Sequence, residues 1–168
     1  MKKILTAILL LLLFSINSSA TPANQETIDL KLLNTASRIG YTSSRLQENY
    51  DDLISVIKTL ENFDDMYVLS GVSKNILGVY YICYYEKDLL ATYILIDKKF
   101  MNGYLKLGSE RLKTSISRIQ SHLKSIQKLY PYVTSNSALH VIDKSRDNIK
   151  TVLILLEKCN KDLLAELN

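Results

Sequence analysis

The chain has 168 residues, 47% of them hydrophobic, with five Gly, two Pro, no Trp and a formal charge of +4. That length suits one domain whose core needs neither metal nor crosslinks, and so small a charge is too little to imply a polyanion partner, so no nucleic acid is expected. With helix breakers this scarce, and Leu, Ile, Lys, Ser and Glu carrying the sequence, an all-α protein is predicted.

In chain order, Lys2 and Lys3 precede an apolar run from Ile4 to Phe14, and Ser18-Ser19-Ala20 places small side chains at the exit. This is the pattern of a secretory signal peptide, cleaved after Ala20. The run is shorter than the roughly 20 residues a membrane span requires, and Thr21 stands where a lipid anchor would need Cys. The expected arrangement is therefore a signal peptide over 1–20 and one helical-bundle domain over 21–168. Export to a bacterial periplasm is the first expectation and release outside the cell the second, since the mature part has no Asn-x-Ser/Thr site.

Thr21-Pro22 reads as a helix start. Beyond it Ile28, Leu32, Ala36, Ile39, Ser43, Leu46, Tyr50, Leu53, Ile57 and Leu60 recur at steps of three and four, with a seven-residue spacing from Leu32 to Leu60. One long amphipathic helix is predicted, with a coiled-coil-like seam and a bend near Gly40 to Ser44. Asp64, Asp65, Ser70 and Gly71 then mark a loop, and Ser73 is the expected cap of a second helix running to about Met101 and stopped by Asn102-Gly103. Lys98 and Lys99 suit its carbonyl end. From Ile76 to Ile96 nearly every side of this helix is apolar, broken only by Glu86-Lys87-Asp88. A β-hairpin turning at those charges is the alternative; the charges themselves exclude a membrane span.

A third helix carries Leu105, Leu112, Ile116, Ile119, Leu123, Ile126 and Tyr130, and Pro131 ends it. Ser135 or Ser137 caps the fourth, whose seam is Ala138, Ile142, Ser145, Ile149, Val152, Leu156, Cys159 and Leu163. Four long helices with short connections predict an up-down-up-down four-helix bundle.

No motif in this chain specifies catalysis. The only histidines, His122 and His140, are too few for a multi-histidine metal site, and neither a Glu-x-x-His pair nor Cys-x-x-Cys-His occurs. The glycines are too dispersed for a phosphate loop, and no Gly-x-Ser-x-Gly is present. The adjacent carboxylates Asp51-Asp52 and Asp64-Asp65 diverge on a helix. No cofactor, no metal and no enzymatic activity are expected. A second helix starting at Ser73 would put Cys83 about 20 Å from the level of Cys159, too far for a disulfide, so both thiols are expected buried and reduced.

Two surfaces remain as candidates. Tyr80 and Tyr84, like Tyr81 and Tyr85, lie four apart and form two adjacent columns, with Tyr93 further on. A bundle helix buries one stripe, so this excess of apolar circumference must be covered by the first helix, a second copy of the chain or another protein. Binding of a protein partner, as in an adaptor, immunity, exclusion or chaperone-like role, is the expected function. The alternative rests on the third helix, where Lys106, Arg111, Lys113, Arg118, Lys124 and Lys128 face a single acid, Glu110, and suit an anionic lipid or lipopolysaccharide surface.

Overall fold

The computed structural model describes residues 23–167, so the expected signal peptide and Thr21-Pro22 lie outside the described residues. The described chain is all-helical: α1 (Ala23–Ile57), α2 (Phe63–Thr92), α3 (Met101–Leu129) and α4 (Asn136–Leu167). Short 3-10 turns at Tyr93–Leu95, Lys98–Phe100 and Tyr130–Tyr132 complete it. Helices adjacent in sequence pack together, α4 packs back on α1, and the diagonal pairs barely touch, which makes a four-helix bundle.

Side-chain pairings give α2–α3 and α3–α4 an antiparallel sense. Between α2 and α3, Glu86 meets Arg111 while Asn75 meets His122. From α3 to α4, Ser109 bonds Asn160 and Tyr130 bonds Asp143. Lys31 of α1 reaches Asp162 near the far end of α4. Within α2–α3 and within α3–α4, one residue number falls as the other rises.

Much of the core follows the seams expected from periodicity, but Tyr50, Ile57, Leu60, Ile116, Leu123 and Tyr130 are only partly buried and Leu69 and Val72 join from a stretch where no seam was expected. Leu32, Ile39, Leu46 and Leu53 of α1 are buried, as are all eight seam residues of α4. Ser145 is among these, and its hydroxyl avoids an unpaired burial by donating to the Val141 carbonyl at 2.8 Å. Helix α1 runs unbroken through Gly40.

Helix α2 departs from expectation at both ends. It begins ten residues before Ser73, because Asn62 in an extended conformation accepts the Asp64 N–H at 2.9 Å and Asp64 and Asp65 then stand in the first turn, where the dipole favours negative charge. The acids taken for a loop signal are a helix start. Ser70 and Gly71 lie inside the helix, and the hydroxyl of buried Ser73 donates to the Ser70 carbonyl at 3.0 Å instead of capping. At the other end α2 stops at Thr92, and Asn102-Gly103 belongs to the first turn of α3. The stretch offered as a hairpin is helical throughout. Ser135 is the cap of α4, accepting the Ala138 N–H at 3.3 Å.

Candidate functional site

The outer surface of α2 is aromatic. Its buried stripe is Leu69, Val72, Ser73, Ile76, Val79, Cys83, Glu86 and Leu90, leaving most of the tyrosines outside it. Tyr81, Tyr84 and Tyr85 are 50%, 42% and 63% exposed, and Tyr80 is half-buried beside them. The rings form a continuous ladder, with centroids 5.2 Å apart for Tyr80 and Tyr81, 6.2 Å for Tyr80 and Tyr84, and 5.8 Å for Tyr84 and Tyr85. Helical spacing causes this: residues three and four apart share a face, and one-residue neighbours bridge the two columns. Lys87 Nζ lies 4.7 Å over the Tyr84 ring, and an open groove of about 310 Å³ separates Tyr80 and Tyr84 from Gly40, Ser43 and Gln47 of α1. The first helix does not cover the ladder.

Tyr93 does not join these rings. Three residues after Leu90 and seven after Glu86, Tyr93 continues the buried stripe, is 4% exposed, and fills the space that Gly108 leaves on α3. Its hydroxyl donates to the Tyr104 carbonyl at 3.2 Å. Burial raises its pKa despite the Arg111 guanidinium nearby.

The charges between the tyrosines point in two directions. Glu86 is buried on the core side, where Arg111 Nη2 donates to Oε2 at 3.0 Å, Arg111 Nε donates at 3.2 and 3.3 Å, and the Ser115 hydroxyl donates to Oε1 at 2.7 Å. Arg111 is therefore withdrawn from the basic face that the sequence offered for anionic surfaces. Lys106, Lys113, Arg118, Lys124 and Lys128 are exposed. The four lysines fall on one stripe of α3 by helical spacing, with Glu110 among them, and Arg118 lies off it on the side of α2.

Both cysteines are buried with free thiols. Burial, aided by the Glu86 carboxylate, pushes Cys83 up to about 12; burial and the carboxylates of Asp162 and Glu86 do the same to Cys159, against the opposing Arg111. Neither is a nucleophile at neutral pH. The expected offset of about 20 Å between the thiols is absent, because a helix that starts after Asn62 places Cys83 about as far from its start as Cys159 is from the start of α4. The two stand on diagonal helices and are not joined by a disulfide.

His140 is exposed, whereas His122 packs between α2 and α3 over Gly78, whose missing side chain leaves room for the ring. Asn75 donates its amide to the Gly71 carbonyl at 2.7 Å, so its Oδ1 is turned to His122 Nδ1 at 2.9 Å and that nitrogen carries the hydrogen. Desolvation, with Arg118 adding to it, lowers the His122 pKa below its ordinary 6.5. As pH falls, the unfolded chain takes this proton first; the histidine's contribution is thus complete above about 6.5 and lost as pH drops through the lower folded value. Urea titrations between pH 7 and pH 5 should show the wild type losing stability relative to His122→Gln. A gap that does not move with pH would mean that the ring is fully hydrated.

Among the described residues, no group of three or more His, Cys, Asp or Glu side chains is placed to hold a metal ion, and no helix is long and apolar enough to cross a membrane. A mixed-charge groove between α1 and α4, lined by Arg45, Glu48, Asn49, Asp52, Lys144 and Asp147, was not visible in the sequence, because its residues come from helices a hundred positions apart. No protein-family model matches the chain, and neither a curated protein nor a solved structure shows significant similarity to it, so its function has to be read from its own geometry.

Proposed function

We propose that this protein is an exported, non-catalytic binding module that docks a protein partner through the tyrosine face of α2, in an adaptor, immunity, exclusion or chaperone-like role. The carrying observation is the exposed ladder of Tyr81, Tyr84 and Tyr85. A contiguous apolar patch on a helix that already buries a full stripe contributes little to its own fold. Tyrosine is the side chain favoured there by interfaces, since it offers a large rigid ring and a hydroxyl that can bond a partner. The groups that could do chemistry are otherwise engaged: Glu86 is held by Arg111 and Ser115, and both thiols are protonated.

A photoreactive residue at position 81, used in the native compartment, should crosslink to a protein, and one at exposed His140 should not. Changing Tyr81 and Tyr85 to Ser should abolish the complex and leave the circular dichroism and melting of the domain within about 0.5 kcal/mol of wild type, as for ordinary surface changes. Loss of helical signal would make the rings structural; undiminished binding would remove the face from the interface. The second reading, docking of the lysine stripe of α3 on an anionic envelope surface, is favoured by the exposure of Lys106, Lys113, Lys124 and Lys128. In the same experiment it gives crosslinks to lipid from position 124, weakening as salt rises.

A further inference from the structure

Resting on that reading, we propose that the partner of this face is a second copy of the chain, paired antiparallel along α2 about a two-fold axis at Tyr81. Lys74, Tyr81 and Asp88 are all exposed and follow one another at intervals of seven residues. Seven residues are about two turns, roughly 10 Å of rise, so the three stand nearly in line on the outer surface. Opposite charges therefore lie at equal distances on either side of an aromatic centre.

That disposition is what a self-complementary surface needs. In a two-fold interface residue i faces residue j and j faces i, so reversing the helix about Tyr81 brings Lys74 of each copy against Asp88 of the other. Two ion pairs form at the ends, and between them Tyr81 meets Tyr81 while Tyr85 of each copy faces Leu77 of the other. Parallel pairing in register instead sets Lys74 on Lys74 and Asp88 on Asp88, which is repulsive. The charges are also available. Lys74 has no ion pair among the described residues, and Asp88, with a side chain 60% exposed, has only its neighbour Lys87 at 3.9 Å, near the limit of an ion pair. Lys87 is itself drawn over the Tyr84 ring.

The test is a charge-reversal cycle read by sedimentation equilibrium of the purified protein. Wild type should dimerise. Lys74→Asp alone and Asp88→Lys alone each replace two attractive contacts with two repulsive ones, and each should raise the dimer Kd by about 10-fold at low salt. The double variant restores both pairs and should return the Kd to within about 3-fold of wild type. A wild type that stays monomeric up to about 100 µM overturns self-pairing, and leaves the tyrosine face to a foreign protein if position 81 crosslinks to one. A dimer unmoved by the single reversals, or weakened without rescue, overturns the antiparallel register. A dimer equally tight when Tyr81 and Tyr85 are Ser overturns self-pairing through this face, and the reading beneath it falls as well only if position 81 crosslinks to no protein.

Discussion

Replacing Arg111 with Met should destabilise the bundle by about 3 kcal/mol, lowering its melting point by roughly 6–12 °C. The reason is what the substitution leaves behind. Glu86 is 3% exposed and its carboxylate is satisfied by Arg111 and Ser115, so loss of the guanidinium strands a charge in the core with one hydroxyl for company. Breaking a buried pair in this way costs about 3–5 kcal/mol, and the lower end applies because the Arg111 side chain is 32% exposed and partly hydrated already. Removing both charges is a different matter. Glu86→Leu combined with Arg111→Met replaces the pair with apolar volume and should recover most of the loss, since the desolvation of two ions disappears along with their attraction. Urea denaturation of the two variants decides it. A single variant as stable as the double would mean that Glu86 finds water once Arg111 is gone.

Two glycines of α3, five residues apart, should respond to alanine with opposite signs. At Gly108 an added Cβ collides with the Tyr93 hydroxyl and stands 2.7 Å from Cζ, and Tyr93 is held by its bond to Tyr104 and by burial. The ring has nowhere to withdraw. Overpacking of this kind costs about 1–3 kcal/mol, more than the roughly 1 kcal/mol that alanine gains in helix propensity, so Gly108→Ala should destabilise. Shortening the obstacle with Tyr93→Leu should remove most of that penalty. At Gly103 nothing lies within 4 Å of the added Cβ, and Gly103→Ala should stabilise by about 0.5 kcal/mol through the unfolded chain. Thermal melts of the two single variants are sufficient; equal effects would mean that α3 reads these positions by propensity alone.

The departures from expectation have a common physical source. Asp64, Asp65, Ser70 and Gly71 are polar or small, which suits a loop, but the same acids suit a helix N-terminus, and Asn62 supplies the cap that decides between them. Small residues inside α2 are explained by neighbours: Gly71 faces Leu129 and Gly78 faces the His122 ring, so each marks a close approach of α3 rather than a break. Glu86 reads in sequence as part of a solvated trio with Lys87 and Asp88. The donors of Arg111 and Ser115, 25 and 29 residues on, explain why one of the three is turned inward.

From its residues alone this chain determined its helical class and most of the seams of α1, α3 and α4. The three-four spacing of Leu, Ile and Val fixes which side of those helices must leave water, and two prolines in the whole chain leave little to interrupt it. Spacing also put Tyr80, Tyr81, Tyr84 and Tyr85 on adjoining columns. Tertiary structure decided which of these rings stay in water, that Tyr93 and Arg111 turn inward, and that Lys74 and Asp88 flank an exposed centre. A side chain's own period says where on a helix it stands, but whether that side is covered depends on the shape of residues on another helix, and that is settled only when the helices pack.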